Sequence, residues 1–175
     1  MKNKYQDLIE QTFDFPQPEF YLEEGSLRFH DIDLAELVRK YGTPLKFSFL
    51  PAIGEKIEQC RDWFKQAFEE NNYEGSYHYS YCTKSSHFDF VLKECLKKKV
   101  NIETSSAIDL DIIISLYNQG LLKDDIFVLC NGYKTEEYIS KIAELIALGF
   151  DRVIPIIDSI DEFELLDTAI DTPLE

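Results

Sequence analysis

After Pro51 the chain alternates, without exception, between helical periodicity and short apolar runs. No other feature limits its fold as strongly. Ile53, Ile57, Cys60, Phe64 and Phe68 recur at helical spacing over residues 52–70. Strands are then expected at Ser76–Thr83, Val100–Thr104, Asp125–Cys130 and Arg152–Ile157. Helices are expected at 86–99, 106–119, 135–148 and 159–169. The first of these turns Phe88, Val91, Leu92, Cys95 and Leu96 inward, and the last turns Ile160, Phe163 and Leu166 inward. Strictly alternating strands and helices imply right-handed crossovers and a parallel sheet. The unbroken apolar run Ile126–Cys130 is what a strand covered on both faces looks like.

The segment before Pro51 has a different character. Residues 1–20 mix polar and aromatic side chains, and Pro16 and Pro18 break any regular element. Residues 21–29 read as two short strands around Glu24-Gly25. Asp33 should cap a helix over Leu34–Tyr41 that stops at Gly42, and Thr43–Leu50 alternates like a strand.

Composition removes several function classes. With 45% hydrophobic residues the chain is not wholly disordered. Its net charge of −15 disfavours phosphate backbones and anionic membranes. Met1–Phe20 lacks the pattern of a signal peptide, and the apolar stretches are too short to span a bilayer. Cys60, Cys82, Cys95 and Cys130 form no C-x-x-C pair and no zinc spacing, so buried free thiols, no metal and a cytoplasmic setting are expected.

In such folds chemistry collects in the turns that follow the strands. The first turn places Lys84 at the carboxyl end of a strand, followed by Ser85 and Ser86 as candidate helix caps. A strand-end lysine is by default a solvated charge, yet it is also where a nucleophilic amine would sit. The second turn carries Glu103, Ser105 and Ser106, with Asp109 one helical turn later. Asp109 reads as an acid favoured near a helix start, whereas position alone leaves Glu103 open between a plain charge and a partner for the lysine. Asn131-Gly132 in the third turn is ordinary turn chemistry or a pocket wall, and Ser159 in the fourth is a helix cap. His87 is expected at the surface, and no glycine-rich phosphate loop occurs.

Four segments carry a resemblance. Tyr41-Gly42-Thr43-Pro44-Leu45 resembles a Y-G-T-P-L strand, Tyr81-Cys82-Thr83-Lys84-Ser85 a Y-A-V-K-x strand end, Glu103-Thr104-Ser105-Ser106 a D-x-A-S turn, and Asn131-Gly132-Tyr133-Lys134 an N-P-x-K turn. In that order they resemble the pyridoxal-phosphate-dependent ornithine, arginine and diaminopimelate decarboxylases of the alanine-racemase-like fold. The likeness runs over residues 20–170 and is nearest to a bacterial arginine decarboxylase branch. Cys82-Thr83, Glu103 and Gly132-Tyr133 depart from the wider pattern, which bears on substrate choice more than on cofactor use.

The resemblance implies that Lys84 bears pyridoxal 5'-phosphate and that Glu103 lies near it, holding the amine's charge and position. Asp109 matches an acidic position of the motif. The implied fold is α/β, a partial (β/α)8 TIM barrel over 51–175, with 1–50 contributing to a β-sandwich domain. The implied activity is decarboxylation of a basic amino acid, L-arginine first, by a homodimer. The alternatives are diaminopimelate, ornithine or lysine as substrate, a catalytically silent relative, and an α/β domain that takes no cofactor. A barrel needs about 250 residues, and a fifth strand is due near Thr172, so the 175 residues read as a fragment, inactive and weak in cofactor binding by itself.

Overall fold

The structure is a computed structural model that describes residues 19–170. The expectations for 1–18 and for a strand near Thr172 lie outside the described residues. The chain parts into two compact units between Ser48 and Phe49.

In the first unit, β1 (Phe20–Glu23), β2 (Ser26–Phe29) and β3 (Ile32–Asp33) form an antiparallel sheet in that order. Gly25 takes the positive φ of 79° that the β1–β2 turn needs. Helix α1 (Leu34–Tyr41) starts where expected: the Asp33 carboxylate accepts from the Glu36 N–H at 3.0 Å. It stops at Gly42, whose φ of 81° ends the helical path. The strand expected at Thr43–Leu50 is absent, because its alternation finds no neighbouring strand to pair with. Its Phe47 ring instead meets Phe29 edge-on, with centroids 5.9 Å apart.

The second unit opens with α2 (Pro51–Glu70) and continues as four strand–helix steps: β4 (Ser80–Cys82), α3 (Asp89–Lys97), β5 (Asn101–Thr104), α4 (Ala107–Asn118), β6 (Val128–Cys130), α5 (Glu136–Ala147), β7 (Val153–Pro155) and α6 (Ile160–Ala169). The strands pair in parallel, in the order β4-β5-β6-β7. From β4 onward each observed strand and helix is shorter than the sequence pattern, since flanking residues that share the periodicity lie beyond the regular hydrogen bonding, whereas α2 runs one residue longer than expected.

Register sorts the strand residues by face. Tyr81, Ile102, Val128 and Val153 lie side by side and turn toward the helices; the last three are at most 8% exposed. Leu92, Cys95, Leu110, Ile113, Ile142 and Leu145 meet them from α3, α4 and α5, all fully buried. The next row, Cys82, Glu103, Leu129 and Ile154, turns to the other face. That face is open: Ile154 is 42% exposed and the other three are half-buried. The apolar run at 126–130 therefore has one covered and one uncovered side among the described residues, not the two covered sides expected.

Two helices differ in their inward faces. Just ahead of α3, Phe88 is exposed and stacks on Phe90 (5.3 Å), while Val91, Leu92, Cys95 and Leu96 of the helix are buried as expected. In α6, Ile160 and Phe163 face solvent, and Glu162, Leu166 and Ile170 turn inward. The cause is polar: two backbone N–H groups hold the Glu162 carboxylate inside and set the rotation of the helix. Cys95 and Cys130 are buried free thiols, whereas Cys60 and Cys82 are only half-buried.

Candidate active site

The carboxyl ends of the four parallel strands bring their turns together on one edge of the sheet. Cys82 stands opposite Glu103 in the β4–β5 register, and Lys84 follows two residues later, in the turn beyond the end of β4. Lys84 is exposed, and among the described residues its amine has no hydrogen bond or ion pair. Ser85 and Ser86 do not cap α3: the helix begins later, at Asp89, behind Phe88. Their turn is held by the Ser85 N–H to the Cys82 carbonyl (3.1 Å) and by the Tyr81 hydroxyl, which donates to the Ser86 carbonyl at 2.9 Å.

Glu103 is the third residue of β5 and half-buried. Its main chain is tied to β4 twice, through the Thr83 N–H (2.9 Å) and the Thr83 hydroxyl (3.1 Å), both donating to the Glu103 carbonyl. Its carboxylate turns the other way and accepts from Asn131 Nδ2 at 3.2 Å. No ion pair joins Glu103 to Lys84 among the described residues; Glu103 is on β5, and Lys84 lies in the turn after the neighbouring β4. Asp109 belongs to the start of α4: its carboxylate accepts from the Ser105 N–H (3.0 Å) while its own N–H donates to the Ser106 hydroxyl (3.3 Å). It is a reciprocal cap of the helix. Ser159 caps α6 as expected, accepting from the Glu162 N–H, and His87 is exposed.

Sequence reasoning missed a buried brace beside the site. Lys134, at 1% exposure, donates through Nζ to the carbonyls of Gly132 (2.6 Å) and Ile156, joining the turns after β6 and β7. Glu162, also 1% exposed, accepts from the backbone N–H groups of Lys134 and Asp158, both at 2.9 Å. The Asp158 and Lys134 N–H groups hold the Glu162 carboxyl below the usual carboxylate range, against its burial. Gly132 is needed for close approach: a Cβ there would lie 2.7 Å from the Ser105 carbonyl oxygen. Below this layer the Thr104 hydroxyl meets the Tyr138 hydroxyl at 2.8 Å, and burial pushes the Tyr138 phenol well up and the Cys130 thiol up.

An accessible, unpaired primary amine with a carboxylate on the neighbouring strand is a donor set that suits capture of an aldehyde-bearing cofactor. Lys84 and Glu103 fit that group.

Comparison with known proteins bears on the fold and the family likeness. No family model matches the chain. It is 29% identical over 144 residues to a biosynthetic arginine decarboxylase of Bacteroides thetaiotaomicron, covering 77% of this chain and 22% of that protein. It is 32% identical over 134 residues to the biosynthetic arginine decarboxylase of Geobacter sulfurreducens, covering 71% and 20%. The chain thus spans about a fifth of the length of these curated relatives. Among solved structures, diaminopimelate decarboxylase from M. jannaschii superposes with a TM-score of 0.67 at 22% identity, over 86% of this chain and 32% of that one. These similarities bear out the resemblance to the decarboxylases and the fold, a partial barrel of the alanine-racemase-like type.

Proposed function

We propose that this chain, similar along most of its length to biosynthetic arginine decarboxylases, supplies the lysine-bearing part of a pyridoxal-phosphate-dependent amino-acid decarboxylase. L-Arginine is the proposed substrate, with agmatine and carbon dioxide as products. The observation that carries the reading is the position of Lys84: a free amine just past the carboxyl end of β4, the strand that pairs with the one carrying Glu103.

Lys84 would hold the cofactor through its amine, which is accessible and without competing partners. When bound, pyridoxal phosphate supplies the electron sink for the bond to the departing carboxylate. Glu103 places a negative charge on the neighbouring strand, where it would steady a cationic nitrogen on Lys84 or on the incoming substrate. Thr83 couples the two sites, since it precedes Lys84 and bonds twice to the Glu103 carbonyl. The antiparallel unit ahead of α2 would contribute to a β-sandwich domain.

The four free cysteines suit the reducing cytoplasm. No helix among the described residues is long and apolar enough to cross a membrane. A homodimer goes with the same reading, and light scattering on the protein carrying the whole barrel checks it.

The deciding experiment measures carbon dioxide release by the protein carrying the whole barrel, from arginine and from diaminopimelate, with Lys84→Ala alongside. Arginine turnover lost in Lys84→Ala is expected. Release from diaminopimelate alone would overturn the substrate, and visible cofactor absorbance unchanged in Lys84→Ala would overturn the role of Lys84. Residues 1–175 by themselves are expected to release no carbon dioxide.

A further inference from the structure

Asn131 sits in a turn where an asparagine ordinarily bonds its own backbone. Here its amide reaches across to the adjacent strand and donates to Glu103 Oε1 at 3.2 Å, the partner of that carboxylate among the described residues. The amide is mounted rigidly. The Asn131 N–H donates to the Thr104 carbonyl at 2.8 Å. The next residue, Gly132, packs so closely on Ser105 that no side chain fits, and its carbonyl accepts from the buried Lys134 amine at 2.6 Å. Lys134 is in turn fixed to Ile156 and to Glu162. A half-buried glutamate with a long side chain has several rotamers to choose from, and a single fixed donor selects among them.

We propose that Asn131 is a positioning residue of the candidate active site, holding the Glu103 carboxylate in place and so fixing the negative charge on the strand next to the Lys84 turn. The inference rests on the reading of Lys84 as the cofactor-bearing lysine. Lys134 and Glu162 support it from behind by keeping the turn in place.

Covalent trapping reads this without turnover. The full chain is incubated with excess pyridoxal phosphate and reduced with borohydride, and pyridoxyl adducts are mapped by mass spectrometry. The readout is the adduct at Lys84 relative to the exposed Lys40 and Lys65. Wild type is expected to favour Lys84. In Asn131→Ala the preference falls about threefold, within the range that contacting residues couple. Asn131→Asp, equal in size but without the donor and with a second negative charge, loses at least as much. In a Glu103→Ala background, Asn131→Ala has no further effect, which a purely structural role would not produce. Circular dichroism reports whether each variant is folded. A wild-type preference that survives both Asn131 variants, or a loss of equal size with Glu103 already removed, would overturn the inference while leaving Lys84 in its role. Absence of any wild-type preference for Lys84 would instead overturn the reading beneath it, and the inference with it.

Discussion

Removing the Glu162 carboxylate should be among the most damaging single changes to this fold. The side chain is 1% exposed and accepts from two backbone N–H groups at 2.9 Å, those of Lys134 and Asp158. Hydrogen bonds to a charged acceptor contribute roughly 1.5–3 kcal/mol each, and a buried donor left without a partner costs about 1–3 kcal/mol. Asp158 is exposed, so water can replace part of its loss; Lys134 is buried and has no such recourse. Glu162→Ala is therefore expected to cost about 3 kcal/mol. For a domain of this size that lowers the melting temperature by roughly 6–12 °C.

Acid supplies a second signature of the same carboxylate. Its folded pKa lies below the unfolded value, so its stabilisation is complete above about pH 4.3 and is lost as the pH falls through the folded value. Urea denaturation of wild type and Glu162→Gln from pH 7 down to about pH 3.5 measures both effects, because the variant lacks the titrating group. The wild-type advantage should be constant near neutrality and shrink on the acid side. A loss under about 1 kcal/mol for Glu162→Ala, or an advantage over Glu162→Gln that does not change with pH, would refute the assignment of Glu162 as a brace.

Three further outcomes follow from the same packing. Gly132→Ala pushes a methyl to 2.7 Å from the Ser105 carbonyl oxygen, so a loss of about 1–3 kcal/mol is expected in urea melts, with no change in cysteine accessibility. Tyr138→Phe deletes the hydroxyl that meets Thr104 at 2.8 Å and should cost about 1 kcal/mol, less if Thr104 keeps its bond to the Leu129 carbonyl. Thiol alkylation at pH 8 should label Cys60 and Cys82 first; Cys95, buried and with its thiol pushed up to about 11, should react only on unfolding, and early labelling of Cys95 would contradict the packing of α3.

The order of elements was legible because the period of apolar residues changes from 3.6 to about 2 at each junction, with glycines and caps marking the ends. Asp33, Gly42, Ser106 and Ser159 all act as punctuation in the structure. Thr43–Leu50 shows the limit of that signal, since alternation predicts a face but does not supply a partner strand. Lys84, Glu103 and Asn131 could be located as strand-end residues, because the parallel architecture places those ends together. The Glu103–Asn131 bond could not, because it depends on register between β5 and β6, which no local pattern encodes. Lys134 and Glu162 were hidden for a different reason. Charged residues in a helix start or turn read as solvated, and only backbone donors and carbonyls, invisible to composition, draw them inside.

The uneven covering of the β4–β7 sheet ties the fold to the proposed function. On one face Ile102 and Val128 are fully buried beneath helices; on the other, Leu129 is half-buried and Ile154 is 42% exposed. Apolar side chains at the centre of a parallel strand stabilise only when water is removed from them. The open row also carries Glu103 and leads to Lys84, so the surface that covers Leu129 and Ile154 would at the same time dry the space around that amine and carboxylate. Drying would strengthen any attraction between them, since the same pair of charges interacts several-fold more strongly as the local dielectric falls. In the proposed reading, closure of this face would therefore change the surroundings of Lys84 and Glu103 together. A surface that buries Ile154 should also slow the access of borohydride to Lys84. If access at Lys84 fell with no protection of the Leu129 and Ile154 methyl groups from solvent paramagnets, that coupling would be refuted.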